Sequence, residues 1–288
     1  MPESNPTLDE FARSVLRRNL KVIDDQSSAL RKVLAEEPLH DMRVGLRRLR
    51  VSLEMFSEPL ELPKEIAGRM SRKIARRLGA LRDIDIMEKL AGRLLKSPDA
   101  VLLRLEHERG GCGKEVEQSL DQKKLHELSS AIEKWLQKPG GASRGSLEVR
   151  SIAPELIFPA LSETLLHAGW QVDEFSEKTD DLHRLRKSFK HLRYRAEYLR
   201  EFYGESFEAF IEETKGVQDQ LGSLQDLVTF GEFLNEKEKA VAAKVLQNEH
   251  TRLWKKWRPL RRKFMREDYR KRLRRLVSNP VARPKVGN

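Results

Sequence analysis

Apolar residues recur along this chain at steps of three and four positions, and no long stretch alternates apolar with polar residues. This periodicity, with a predominance of Leu, Ala, Glu, Lys and Arg, is typical of α-helices. Gly, Pro and Ser collect at residues 138–151, which we interpret as a linker. About four helices are expected on each side of it, over 8–137 and 152–275, and residues 277–288 are expected to be disordered. The pattern predicts an all-α protein made of two four-helix bundles.

Two pairs of motifs indicate that the second half of the chain repeats the first. HDMRVGLRRLR, from His40, matches HRLRKSFKHLR, from His183, and LGALRD at 78–83 matches LGSLQD at 221–226. Both pairs are 143 residues apart. A shared offset in two separate motifs indicates duplication of one helical unit. We therefore predict that the two bundles are related by an internal pseudo-two-fold axis.

On a helix, the cations of each first motif fall on one line beside an apolar seam, because they follow one another at steps of three and four. We call these lines the first basic stripe (His40, Arg43, Arg47 and Arg50) and the second basic stripe (His183, Arg186, Lys190 and Arg193). A solvated helix face usually mixes both signs of charge, whereas residues 183–195 hold six Lys or Arg and no acid. Such a cluster favours an anionic ligand, and two facing stripes would line one central basic channel.

Several neighbouring residues have a structural interpretation beside a functional one. His40 and His183 would gain charge as the pH falls through about 6.5, or else each caps or pairs a buried backbone group. Gly79 and Gly222 are interpreted as sites of close helix packing. Arg82, Asp83 and Asp226 are interpreted as salt-bridge or helix-end residues.

A second cationic face precedes LGALRD, and its counterpart in the second half is thinner. Lys215 takes the place of Arg72, but Asp219 takes the place of Arg76. The two halves are therefore expected to contribute unequally.

The net charge of +11 and the isoelectric point near 9.7 come almost entirely from one segment. Residues 251–276 hold thirteen Lys or Arg against two acids, whereas residues 1–250 hold 41 basic and 43 acidic residues. Aromatic residues interleave with these cations, so the segment can stack on nucleic-acid bases or anchor a helix in its bundle. The nearly neutral remainder favours a shaped cationic site over a uniformly basic surface.

Composition and motifs argue against most other classes of protein. The one cysteine, Cys112, excludes a disulfide framework, and no cofactor is expected. HExxH and P-loop motifs are missing, and arginines around His40 and His183 oppose a metal ion, so neither a catalytic nor a metal site is predicted. With no apolar run of about 20 residues and no apolar leader at the N-terminus, we expect a soluble cytoplasmic protein without membrane insertion.

The quoted motifs resemble the signature helices of the CHAD family, a histidine-containing α-helical domain, over residues 8–275. The resemblance implies two four-helix bundles around a central cationic channel, binding of inorganic polyphosphate, and no catalytic activity of the domain itself. The family's basic positions map onto thirteen residues: His40, Arg43, Arg47, Arg48, Arg50, Arg72, Arg76, His183, Arg186, Lys190, Arg193, Tyr194 and Lys215. The basic positions of the two repeats differ at two places in this chain. Asp219 stands where the first repeat has Arg76, and His191 stands where it has Arg48.

The sequence supports polyphosphate binding first, with polyphosphate granules and polyphosphate-metabolising enzymes as candidate partners. The alternatives are an RNA- or DNA-binding protein that uses residues 251–276, a metal-dependent phosphohydrolase, and a structural adaptor. A nucleic-acid-binding protein should lose binding when residues 251–276 are deleted. A phosphohydrolase should release phosphate when a divalent metal is added, and an adaptor should bind no polyanion tightly at physiological salt.

Overall fold

A computed structural model describes residues 5–281, apart from 34, 64–68, 121–122, 142 and 175–178. The described residues form α-helices, three short 3-10 turns and no strand, apart from one isolated bridge between Thr7 and Glu148. The all-α prediction is confirmed. The chain divides into two compact units, Met1–Val149 and Arg150–Asn288.

The first unit holds five helices in the described residues: α1 (Leu8–Lys32), α2 (Glu36–Phe56), α3 (Arg69–Leu94), α4 (Asp99–Leu120) and α5 (Lys123–Gln137). A capping box starts α1, because Thr7 accepts from the Glu10 backbone while Glu10 accepts from that of Thr7. α2 packs between α1 and α3. A Cβ atom at Gly45 would lie 3.1 Å from Val22, so the glycine allows α2 to approach α1 closely.

The second unit also holds five helices in the described residues: α6 (Val149–Leu166, which begins at the boundary), α7 (Thr179–Leu199), α8 (Glu205–Phe233), α9 (Glu236–Met265) and α10 (Glu267–Ser278). α8 packs against both α7 and α9. An aromatic cluster fills the core of this unit. Trp170 stacks on Trp257 and Phe264, with centroids 5.7 and 5.5 Å apart, and Phe189 meets both Trp170 and Phe264 edge-on.

This cluster decides between the two interpretations of the aromatics in the basic segment. Trp254, Trp257, Phe264 and Tyr269 are all buried, so they anchor α9 and α10 to the unit. None of these four rings is exposed for a base to stack on. Most Lys and Arg residues of the same segment lie on the exposed face of α9 and α10.

Several boundaries differ from the sequence prediction. Each unit has five α-helices in the described residues, because α4 and α5 are separate, as are α9 and α10. The predicted linker includes a 3-10 turn at Ser143–Ser146 and the start of α6, and α10 extends to Ser278, inside the predicted tail. The pseudo-two-fold axis and the central channel stay predictions. Among the described helices, none is long and apolar enough to cross a membrane.

Candidate anion-binding stripes

The two helices that carry the basic stripes begin and end at equivalent positions. α2 spans Glu36–Phe56 and α7 spans Thr179–Leu199, so both ends differ by the repeat offset. The predicted apolar seams are buried in both helices: Met42, Leu46, Leu49, Leu53 and Phe56 in α2, and Leu185, Phe189, Leu192, Ala196 and Leu199 in α7. Burial of the seam orients each helix, and therefore fixes the direction in which its stripe points.

In the first stripe, the cations lie at the edge of the packed helix. His40 is exposed, whereas Arg43, Arg47 and Arg50 are partly buried, as is the adjacent Arg48. Nη1 of Arg43 donates to the backbone oxygen of Gly79 in α3 at 3.3 Å. Nε of Arg50 lies 3.5 Å from Oε1 of Glu54, one turn further along. Arg47 makes no hydrogen bond or ion pair with any described residue.

His40 reports on the electrostatics of this stripe. Its pKa is lowered from the ordinary value, first by partial burial and then by the positive charges of Arg82, Arg43 and Arg47, against the opposing effect of Asp41. The imidazole is therefore predominantly neutral at pH 7 in the free protein. An anion bound near these cations would raise this pKa again.

The second stripe is more enclosed. Lys190 is only 8% exposed, although buried lysines are rare in proteins. Nε of Arg193 lies 3.3 Å from Oε1 of Glu197, and these side chains are 14% and 18% exposed, against 30% and 39% for Arg50 and Glu54. The guanidinium of Arg193 also lies over the ring of Tyr194, 4.8 Å from its centroid. Tyr194 itself is 1% exposed, so its ring supports Arg193 from within the core.

His183 occupies the position equivalent to His40 and has the same electrostatic character. Burial lowers its pKa most, followed by the charges of Lys187, Arg186 and Lys190, against the opposing charge of Asp180. Its Nδ1 atom is buried and makes no hydrogen bond to a described residue. No described backbone group is therefore capped or paired by this nitrogen.

The glycines of the second motifs lie beside arginines of the stripes. Arg43 reaches the backbone of Gly79, and a Cβ atom at Gly222 would lie only 3.0 Å from Nη2 of Arg186. Gly222 thus leaves room for the guanidinium of Arg186, whereas a Cβ at Gly79 would meet no described atom within 4 Å. The close approach predicted for both glycines occurs at Gly222 only, and there it involves a side chain of the stripe.

Three predicted site residues, Arg72, Arg76 and Lys215, lie outside the two stripes. Arg72 and Arg76 lie within α3, but their side chains fall outside the described residues. Lys215 is exposed on α8, where its Nζ lies 3.6 Å from Oε2 of Glu212 in the same helix. The structure does not bring Lys215 into contact with the second stripe among the described residues.

Two cations were not among the predicted site residues. Arg82 in α3 forms an ion pair with Glu36 and lies 3.5 Å from Asp85, as its structural interpretation predicts, and it also lowers the pKa of His40. No sequence signal places it beside His40, because that proximity depends on how α3 packs on α2. Lys187 contributes similarly at His183, and its spacing of four residues on one helix is a signal that sequence reasoning could have used.

The described residues contain no group of three or more His, Cys, Asp or Glu side chains arranged to hold a metal ion. The chemistry that the stripes offer is therefore that of fixed cations and two neutral imidazoles. Arginine can grip two oxygens of one phosphate, whereas lysine acts as a compact point charge. This arrangement can bind an anion with several charged groups in a row.

Comparison with known proteins identifies the class. The family model described as the CHAD domain matches residues 14–235, so the chain belongs to the CHAD domain family. The fold is similar to the crystal structure of the CHAD domain from the plant Ricinus communis, at 22% identity and a TM-score of 0.65, covering 96% of this chain and 93% of that one. It is also similar to PptA from Streptomyces chartreusis, at 13% identity and a TM-score of 0.60, covering 90% and 98%. No curated protein matches the sequence.

Proposed function

We propose that this protein binds inorganic polyphosphate through its two basic stripes and leaves the polymer intact. The observation that carries the proposal is the equivalent placement of the stripes, on helices with the same bounds, beside buried seams. In each repeat, an arginine of the stripe lies beside the glycine of the second motif, Arg43 beside Gly79 and Arg186 beside Gly222, and this supports the proposal. Membership of the CHAD family, which is linked to polyphosphate-related proteins, agrees with this assignment.

The geometry of a helix suits a linear polymer of phosphates. Cations on one face of a helix recur about every 5 Å along its axis, so successive residues of a stripe can contact successive phosphates. Several such contacts on one chain favour long polymers through effective concentration. In the cell, the protein would then associate with cytoplasmic polyphosphate granules or with enzymes that make or consume the polymer.

The direct test substitutes one cation in each stripe: Arg47 in the first, and the buried Lys190 in the second. Arg47→Gln and Lys190→Gln should each weaken binding of long-chain polyphosphate about tenfold, since a hydrogen bond to a charged group contributes about 1.5–3 kcal/mol. Both together should weaken it about a hundredfold or more. Affinity is measured by titration calorimetry at about 0.15 M salt. The control, Lys96→Gln with Lys244→Gln, removes two exposed cations outside the stripes.

Unchanged affinity in a correctly folded Arg47→Gln, Lys190→Gln variant would refute the proposal. Competition with single-stranded RNA of matched length tests the nucleic-acid alternative, and RNA should compete poorly, because the aromatics of residues 251–276 are buried. Release of phosphate from the polymer with added Mg²⁺ or Mn²⁺ would instead indicate a hydrolase.

A further inference from the structure

A second concave basic surface lies where α9 meets α10. The helices are separated at Arg266, whose extended backbone ends α9 and precedes Glu267. The concavity is lined by four cations and one acid: Arg262, Lys263, Arg266, Arg272 and Asp268, with Tyr269 at its floor. We call this surface the elbow cleft.

The elbow is held in a fixed shape by its own contacts. Nε of Arg270 donates to the backbone oxygen of Phe264 at 2.8 Å, and the rings of Phe264 and Tyr269 meet edge-on at 5.1 Å. Tyr269 donates its hydroxyl to Glu213 of α8, which also pairs with Lys263 at 2.8 Å. The cleft is therefore built on core residues and does not depend on a surface loop.

The cations of the cleft are only partly neutralised. Lys263 pairs with Glu213, and Arg266 makes two hydrogen bonds to Asp268, at 3.0 and 2.5 Å. Arg262 and Arg272 are exposed and make no hydrogen bond or ion pair with a described residue. Two guanidinium groups thus face the same concavity with no carboxylate assigned to them, which leaves the cleft cationic.

The chemistry of the cleft favours phosphate groups without bases. Guanidinium groups bind phosphate oxygens in pairs, whereas base recognition in single strands uses exposed aromatic faces. Here Trp257, Phe264 and Tyr269 are buried. The segment also lies beyond residues 14–235, where the family model matches, so the cleft is a feature of this chain outside that match.

We propose that the elbow cleft is a second phosphate-binding site, which holds a further stretch of the same polyphosphate chain that the stripes bind. This inference rests on the proposed function. A long polymer that occupies both the second stripe and the cleft binds the second site at high effective concentration, so the cleft adds affinity for long chains and little for short ones.

The test compares two double variants of α9 and α10 with the same change in charge. Arg262→Gln with Arg272→Gln should weaken binding of long-chain polyphosphate about tenfold and leave tripolyphosphate binding at the stripes unchanged. The matched control, Lys255→Gln with Lys256→Gln, removes two exposed cations of α9 outside the cleft. Equal losses in the two variants would mean that only overall charge matters, and would overturn the inference.

A local measurement separates this inference from the proposed function. In the unmodified protein, long-chain polyphosphate should protect Arg262 and Arg272 from phenylglyoxal, as followed by peptide mass spectrometry, while exposed Arg274 outside the cleft stays reactive. If Arg262 and Arg272 are not protected while the stripe variants still bind polyphosphate weakly, the cleft inference alone is overturned. Protection that persists although stripe variants bind normally would refute the proposed function instead. Equal protection by RNA would overturn the assignment to a ligand without bases.

Discussion

The two basic stripes share a design but differ in how far they are enclosed. His40 is exposed and the Arg50–Glu54 pair is partly open to solvent, whereas His183, Lys190 and the Arg193–Glu197 pair of the second unit are more deeply buried. Charges interact more strongly where water is excluded. The second stripe should therefore gain more from each contact with an anion, and should also repel itself more strongly when no anion is bound.

The stripes also differ in the order of their cations. Where the first repeat has Val44 and Arg48, the second has Lys187 and His191. The cation lost at His191 is thus balanced by one gained at Lys187, a turn earlier on the helix. At these two pairs of positions beside the stripes, each repeat keeps one cation, and its place moves by one turn of the helix. The thinner second repeat expected from Asp219 does not extend to the stripe itself.

The sharpest test of this exchange moves the cation between repeats. Lys187→Val should weaken polyphosphate binding about tenfold, since it removes one charge-assisted contact from an exposed cation beside the second stripe. It should also raise the pKa of His183, because Lys187 is the charge that lowers it most. Titration calorimetry and NMR of the imidazole measure the two effects.

The control for that variant is Arg184→Gln on the same helix, where Arg184 is already paired with Asp181. The converse change, Val44→Lys, should strengthen binding and lower the pKa of His40 further. Equal effects of Lys187→Val and Arg184→Gln would show that Lys187 contributes no more to binding than a paired cation of the same helix.

The glycine motifs should respond differently in the two repeats. Gly222→Ala should weaken polyphosphate binding about fivefold, because the added Cβ would lie only 3.0 Å from Nη2 of Arg186 and would displace this guanidinium. Gly79→Ala should leave affinity unchanged and stabilise the protein by about 0.5–1 kcal/mol, since alanine favours a helix. Binding titrations and thermal unfolding distinguish them, and equal effects on affinity would contradict the assigned contact.

Binding should couple to proton uptake at the two histidines. Their pKa is lowered in the free protein, and a bound polyanion raises it, so affinity should increase about threefold as the pH falls from about 7.5 to 6. The stability of the free protein should change with pH in the opposite direction. The neutral imidazoles support the folded state above about pH 6.5, and this support is lost as the pH falls through their lowered pKa. Calorimetry in two buffers of different ionisation enthalpy measures the uptake.

His183→Asn should remove more of this pH dependence than His40→Asn, since His183 is the more enclosed of the two. A pH-independent affinity in the unmodified protein would show that neither imidazole is near the bound polymer.

The smallest expected effect concerns the carboxylates that close each stripe. Glu197→Gln should strengthen binding about twofold by releasing Arg193, and Glu54→Gln should do less, because a more exposed pair is screened by solvent. Dissociation constants at two salt concentrations test this order. A weaker affinity in Glu197→Gln would mean that the carboxylate orients Arg193 for its ligand.

Local periodicity was sufficient to predict the features that lie on single helices. The bounds of the duplicated motifs and the buried seams follow from spacing alone. For the aromatics of α9 and α10, spacing left base stacking and core packing both open, and their burial decides for packing. Features that depend on packing between helices were not predictable. Arg82 approaches His40 only because α3 packs on α2, and Gly222 faces the side chain of Arg186 only because α8 packs on α7. The break at Arg266 has no Gly or Pro to signal it, while Pro259 lies inside α9 without ending it.

The distribution of indole rings gives the molecule two separate optical reporters. Of the four tryptophans, Trp135 is in the first unit, beneath the guanidinium of Arg13 at 4.4 Å, and the other three are in the second. A Trp135→Phe variant would therefore emit from the second unit alone. The stacked rings of Trp170 and Trp257, with centroids 5.7 Å apart, should also give a near-ultraviolet circular-dichroism signal that vanishes when that unit melts. Fluorescence and dichroism can thus follow the unfolding of each half independently, and show which half a ligand protects from heat.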